Sequence, residues 1–270
     1  MNPLARNKVA LAGNLTASRT LIFVNGLGTD QHCWQRVTPA FADDYRLVLF
    51  DNVGADAESQ PYFLEHQVRY LGVRGYATDL LEICDALELD KDVTLVGHSL
   101  GALAALLACT TRPSLFRRLI LIGASPRYAN TDGYEGGFSS DDIKAIYREM
   151  SANYAGWSTS LAAAAMGNPD RPSLANQFAE AIARIPQEMM LTILCSVLQT
   201  DQRAELAKLR IPTLLIQSQD DIFVPRTVAD YLHAAIAGSE LSVIDASGHL
   251  PHVSAPDQVV AAMSAFLSRG

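Results

Sequence analysis

The sequence predicts an α/β fold: a mostly parallel central sheet with helices on both faces, interrupted late in the chain by an all-helical insertion. Three observations predict it. Short, unbroken apolar and β-branched runs alternate with helical patterns, as in parallel sheets covered on both sides. Residues 132–208 show helical patterns and no convincing strand. Of the 270 residues 49% are apolar, enough for one sizeable core.

The elements come in order. Thr20–Asn25 (TLIFVN) is a strand stopped by Gly-Leu-Gly, and Arg46–Phe50 (RLVLF) is a second, stopped by Asp-Asn and then Gly54. Tyr76–Leu89 carries apolar residues at helical spacing. Val93–Val96 is a third strand, followed at once by a helical stretch, Leu100–Thr111, that ends before Pro113. Leu119–Gly123 (LILIG), Thr213–Gln217 (TLLIQ) and Leu241–Asp245 (LSVID) supply three more strands. Thr227–Ala237 and Gln258–Leu267 read as the last helices. Within the insertion, Ser139 and Ser140 ahead of Asp141-Asp142 mark a helix start. Pro169, Pro172, Pro186 and Pro212 punctuate the rest of the segment. An insertion of this length must pack somewhere, and one end of the sheet is the expected place.

Composition removes several function classes. The net charge of −8 argues against nucleic acid or an anionic membrane surface as partner. No stretch approaches the ~18 apolar residues of a membrane span, and the opening MNPLARNKVALAG lacks the apolar core of a signal peptide. A cytoplasmic location is expected. Cys33, Cys84, Cys109 and Cys195 are far apart and form no CxxC pair, so they read as reduced, mostly buried thiols. No His/Cys cluster has metal-ligand spacing and no P-loop is present; neither metal nor cofactor is expected.

Residues 93–101, VTLVGHSLG, carry the chemistry. Ser99 sits where an apolar strand turns straight into a helix, flanked by Gly97 and Gly101 in the G-x-S-x-G pattern. The turn is too tight for side chains at the glycines, and it forces the serine into a strained, exposed pose. The pattern alone is weak, since chance supplies it in roughly one chain in ten of this length. Context separates a nucleophile from an ordinary turn. A serine needs a base, and the base needs an orienting acid. His98 adjoins the serine, but neighbouring side chains diverge on a sharp elbow. His249 follows the last strand in DASGHLPH, beside a glycine that lets the loop come close. The preceding strand ends in QSQDD, which offers Asp220 and Asp221 as acids. The order Ser, Asp, His and the placement of all three at carboxyl ends of strands fit a nucleophilic hydrolase. For the oxyanion the backbone N–H groups of Leu100 and Leu27 are expected. Gly26-Leu27-Gly28 is no dinucleotide loop, because Gln31 stands where the third glycine belongs.

These motifs resemble the α/β-hydrolase superfamily over essentially the whole chain. The stretches GLGTDQHCW, YRLVLFDNVGA, VGHSLGALAALLA, RPSLFRRLILIGASPRYAN, GYEGGF, NYAGW, DDIFVP and GHLPH resemble the branch that holds the bacterial stress regulator RsbQ and the plant karrikin and strigolactone receptors. The resemblance implies Asp221 rather than Asp220 as the acid. It implies a core of residues 1–131 and 209–270 and a lid of four helices within 132–208. It also implies a mostly apolar pocket walled by Leu27, Phe138, Trp157, Leu161, Val197 and Phe223. For Trp157 and Phe138, packing inside the lid is the competing role. The chain departs from the branch at Asn25, where a histidine is common, at Leu27 and Leu161, where the plant receptors carry phenylalanine, and at the bulkier Phe223. The expected activity is cleavage of a small hydrophobic ester or lactone by Ser99, His249 and Asp221. The alternative is an RsbQ-like signalling protein that senses or slowly processes a small molecule and binds a protein partner through its lid.

Overall fold

The computed structural model describes residues 1–269. Seven strands form one sheet: β1 (Ala10–Gly13), β2 (Thr20–Val24), β3 (Arg46–Leu49), β4 (Val93–His98), β5 (Phe116–Ile122), β6 (Thr213–Asp220) and β7 (Glu240–Ser247). Their spatial order is β1-β3-β2-β4-β5-β6-β7. Only β1 runs antiparallel, against β3; the other five pairings are parallel. The longer helices are α1 (Arg74–Ala86), α2 (Leu100–Thr111), α3 (Ser140–Ala152), α4 (Tyr154–Met166), α5 (Pro172–Ala183), α6 (Gln187–Leu198), α7 (Arg226–Ala235) and α8 (Pro256–Leu267).

The strands read as continuous apolar runs because both faces of the sheet are covered. Side chains alternate between the faces along each strand. Ile22, Val24, Val48, Leu95, Leu119 and Leu121 join one core, together with Leu80 and Ile83 of α1, Leu103 and Leu107 of α2 and Leu232 of α7. Leu21, Phe23, Leu47, Val96, Ile120 and Ile122 join the other, with Trp34, Phe41 and Val259, Met263 and Phe266 of α8. Each such side chain contributes about 1.5–3 kcal/mol through burial. Helix α2 is buried from Leu100 to Cys109 with no polar face, so its sequence lacks amphipathic spacing.

Helices α3 to α6 are inserted between β5 and β6. The Ser139 start signal is a full capping box: its hydroxyl accepts from the Asp142 N–H while the Asp142 carboxylate accepts from the Ser139 N–H. Strand β1 has no counterpart in the sequence pattern. Its run, Ala-Leu-Ala-Gly, is short and includes no β-branched or aromatic side chain, and all four residues are exposed at the sheet edge.

Candidate active site

Strand β4 ends at His98 and α2 begins at Leu100, leaving Ser99 alone in the turn. Its φ of 53° and ψ of −117° place a non-glycine residue in left-handed territory, a strain of order 1–3 kcal/mol that the surroundings must hold. The flanking glycines let them do so. A Cβ at Gly97 would stand 2.6 Å from the Gly101 carbonyl oxygen, and one at Gly101 would overlap the Val24 carbonyl of β2.

The side chain so presented meets its partners. Ser99 Oγ lies 2.9 Å from His249 Nε2, and His249 Nδ1 lies 2.7 Å from Asp221 Oδ2. With Nδ1–H donating to the carboxylate, Nε2 is free to accept the serine proton. Asp221 comes directly after β6, and its other oxygen accepts from the N–H groups of Phe223 (2.9 Å) and Val224 (3.1 Å). Burial pushes this carboxyl up, but the His249 contact and the two N–H donors outweigh it and hold the group below its ordinary range. Asp220, the alternative acid, is the exposed last residue of β6; its side chain meets the Ser247 hydroxyl at 3.3 Å.

The His249 loop is fixed from two sides. The His249 N–H donates to the Ala165 carbonyl near the end of α4 at 2.7 Å. The His249 carbonyl accepts from His98 Nε2, also at 2.7 Å. His98 is thus a bracket rather than a base, as divergence on the elbow demands. Its ring touches that of the fully buried His252, which stacks on Trp34. Burial and neighbouring imidazoles keep His98 well below the ordinary histidine value and His252 down to about 3, so both are neutral.

Leu100 opens α2, where its N–H has no partner within the helix. Leu27 lies between Gly26 and Gly28 in the loop after β2 and lines the same cavity as Ser99. Asn25 anchors that loop. Its amide donates to the Phe50 carbonyl (2.7 Å), and its oxygen accepts from the Trp34 indole (2.7 Å).

An apolar cavity of about 80 Å³ covers the serine. Of the expected wall residues, Leu27, Phe138, Leu161, Val197 and Phe223 line it, and the Phe223 ring meets His249 edge-on. Trp157 does not line it. Its ring stacks on Tyr154, whose hydroxyl is held by the Ile182 and Ile185 carbonyls, so it serves the packing of the inserted helices. Tyr128, which lies within the RPSLFRRLILIGASPRYAN stretch but is not among the expected wall residues, also lines the cavity. Its hydroxyl stands 3.5 Å from Ser99 Oγ, and burial raises its ionisation well above the ordinary tyrosine value. The available signal is its place in the loop that leaves the carboxyl end of β5. Ile146, Phe178 and Leu194, from three inserted helices, and Leu250 also belong to the wall.

The sequence profile described as "Alpha/beta hydrolase family" matches residues 21–262. The chain belongs to this family. Among its relatives, "Strigolactone esterase D14" of Arabidopsis thaliana is 36% identical over 255 residues, 94% of each chain. "Karrikin insensitive 2 receptor IA" of Petunia hybrida is 34% identical over 254 residues, 94% of this chain and 92% of that one. Among solved structures, a hydrolase from Oleispira antarctica superposes with a TM-score of 0.92 at 27% identity, covering 100% of this chain and 97% of that one. A bromoperoxidase from Bacillus anthracis reaches 0.86 at 22% identity, over 96% and 94% of the two chains, and speaks to the fold alone. This α/β-hydrolase therefore stands among esterases and hydrolase-like receptors.

Proposed function

We propose that this α/β-hydrolase is a serine esterase or lactonase acting on small hydrophobic acyl groups without a cofactor. The observation that carries the reading is the continuous Ser99–His249–Asp221 hydrogen-bonded row opening into an apolar cavity. Ser99 Oγ attacks the carbonyl carbon while His249 Nε2 takes its proton. The C–O bond to the alcohol then breaks and His249 returns the proton to the departing oxygen. Water, deprotonated by the same nitrogen, cleaves the acyl–serine bond and regenerates Ser99. Asp221 holds the tautomer and stabilises the imidazolium. The N–H groups of Leu27 and Leu100 receive the negative charge of the tetrahedral intermediate. Helices α3 to α6 act as the lid that keeps bulk water from the acyl-enzyme.

The test is turnover of p-nitrophenyl esters of increasing chain length, beside Ser99→Ala, with mass spectrometry for an acyl adduct on Ser99. Turnover that favours the shortest chains and vanishes in Ser99→Ala supports the reading. Absence of both turnover and adduct overturns it.

A second reading, signalling through a protein partner, is favoured by one surface feature. Leu64, Val68 and Leu71 are 54%, 83% and 63% exposed beside the equally apolar Leu191 of α6, and Gln67 bridges to Thr192 across that junction. Exposed apolar clusters of this kind mark interaction sites. A single burst with a stable adduct in place of turnover would move the assignment to this reading.

A further inference from the structure

The cavity over Ser99, at about 80 Å³, is smaller than the roughly 150 Å³ of an engineered apolar cavity that binds benzene. Its walls enclose space for a short acyl chain, and the alcohol half of an ester has to extend beyond them. A second, larger cleft of about 250 Å³ adjoins it between the loop after β2 and helix α5. Phe178 and Leu250 belong to the walls of both. The Phe178 side chain is buried and lies against Gly28, where a Cβ would stand 3.3 Å from its ring. Gly28 comes directly after Leu27, so Phe178 stands between the cleft and the loop assigned to the oxyanion. The next residue, Thr29, lines the cleft and donates its hydroxyl to the Gly26 carbonyl at 3.0 Å.

The cleft differs in chemistry from the cavity. Asp30 and Glu180 face it together with Arg36 and Arg184, and Gln177 adds an amide. Two carboxylates against two guanidiniums leave no net charge, and Asp30 already pairs with Arg184 at 3.2 Å. Such a wall offers both donors and acceptors and selects no ion. It suits a neutral group rich in hydroxyls, each of which donates and accepts.

We infer that this cleft is the leaving-group subsite, and that the substrate is a short-chain acyl ester of a neutral polyhydroxy alcohol. The inference rests on the hydrolase reading and adds the identity of the alcohol half. The acyl chain fills the apolar cavity, and the ester oxygen crosses beside Phe178. The alcohol hydroxyls then exchange water for Gln177, Glu180 and the Asp30–Arg184 pair.

The test is the ratio of kcat/KM for glycerol monoacetate to that for ethyl acetate, read by titrating the released acid. The two substrates share the acyl group and differ only in the alcohol. The wild-type ratio is expected to be at least tenfold. In the double variant Gln177→Leu/Glu180→Leu, both exposed positions on α5, it is expected to fall to within threefold of one. A wild-type ratio near one, or a ratio unchanged in the variant, overturns the assignment. Labelling of Ser99 by a methyl fluorophosphonate, read by intact mass, reports on the hydrolase reading separately. Labelling with a ratio near one overturns the cleft alone; neither labelling nor turnover overturns both.

Discussion

Replacing Asp221 by asparagine isolates what the acid does. One carboxylate oxygen accepts from the Phe223 and Val224 N–H groups; the other faces His249 Nδ1 at 2.7 Å and the Gln217 amide at 3.4 Å. In Asp221→Asn the two backbone donors hold the amide oxygen, so the NH₂ group must take the place opposite His249. That forces Nδ1 to accept and puts the ring proton on Nε2, facing the serine it should deprotonate. The charge stabilising the imidazolium is lost as well. At an effective dielectric constant of about 20, opposite unit charges at this separation are worth about 6 kcal/mol, or between four and five decades of rate. The same substitution in a serine protease costs about 10⁴ in kcat. The expected loss here is therefore about 10⁴ in kcat on a p-nitrophenyl ester, with KM little changed and the protein folded by circular dichroism. Asp220→Asn is the internal control and should stay within twofold of wild type. A loss below tenfold in Asp221→Asn, or an equal loss in Asp220→Asn, would refute the assignment of the acid.

Other perturbations draw on the same geometry. Ser99→Gly removes the nucleophile and also a side chain held at φ 53°, so urea unfolding should show about 1 kcal/mol of added stability beside lost turnover; no gain would mean the turn is unstrained. Gly26→Ala would bring a Cβ to 2.5 Å from His98 Nδ1, shifting the oxyanion loop and lowering kcat by about 10²–10³ with substrate binding largely retained. Stability should also depend on pH through His252. Folded, it stays neutral down to about pH 3, whereas its ordinary value is 6.5. Below 6.5 the unfolded chain therefore binds a proton that the folded chain does not. Stability falls as pH drops from about 6.5 towards 3 and is flat above. His98, shifted the same way, adds to the slope. Urea midpoints between pH 4 and 8 measure it, and a slope unchanged in His252→Gln would contradict the assignment to that ring.

Legibility in the sequence tracked burial. The core strands announced themselves because covered faces exclude polar residues on both sides, whereas Ala10–Gly13, four exposed residues without a β-branched or aromatic side chain, carried no strand pattern. Strand ends were harder: β4 runs through Gly97 and His98, where hydropathy falls but the ladder to β5 continues. Ser99 and His249 could be singled out because turn chemistry and strand-end position constrain them locally. The choice between Asp220 and Asp221 could not be made locally, because one residue of register decides which carboxylate faces the histidine. The cavity wall was least legible. About half of its members come from α3, α4, α5 and α6, and the crossing of those helices, not spacing along the chain, decides that Phe178 joins the wall over Ser99 while Trp157 turns away.

The bond from the His249 N–H to the Ala165 carbonyl ties the proposed proton acceptor to the tail of an inserted helix. Asn168, just beyond that helix, extends the tie by donating to the Ser247 carbonyl at 2.9 Å. A rigid swing of α4 away from the sheet would tear both bonds and displace the imidazole. On the proposed mechanism, admission of a ligand and integrity of the proton relay are therefore mechanically linked through one joint. The end of α4 has to behave as a fixed pivot, and any breathing that enlarges the chamber falls to α3, α5 and α6. An α4 stapled to the core should remain competent, while a chain loosened at residues 165–168 should lose its proton transfer before it loses its fold.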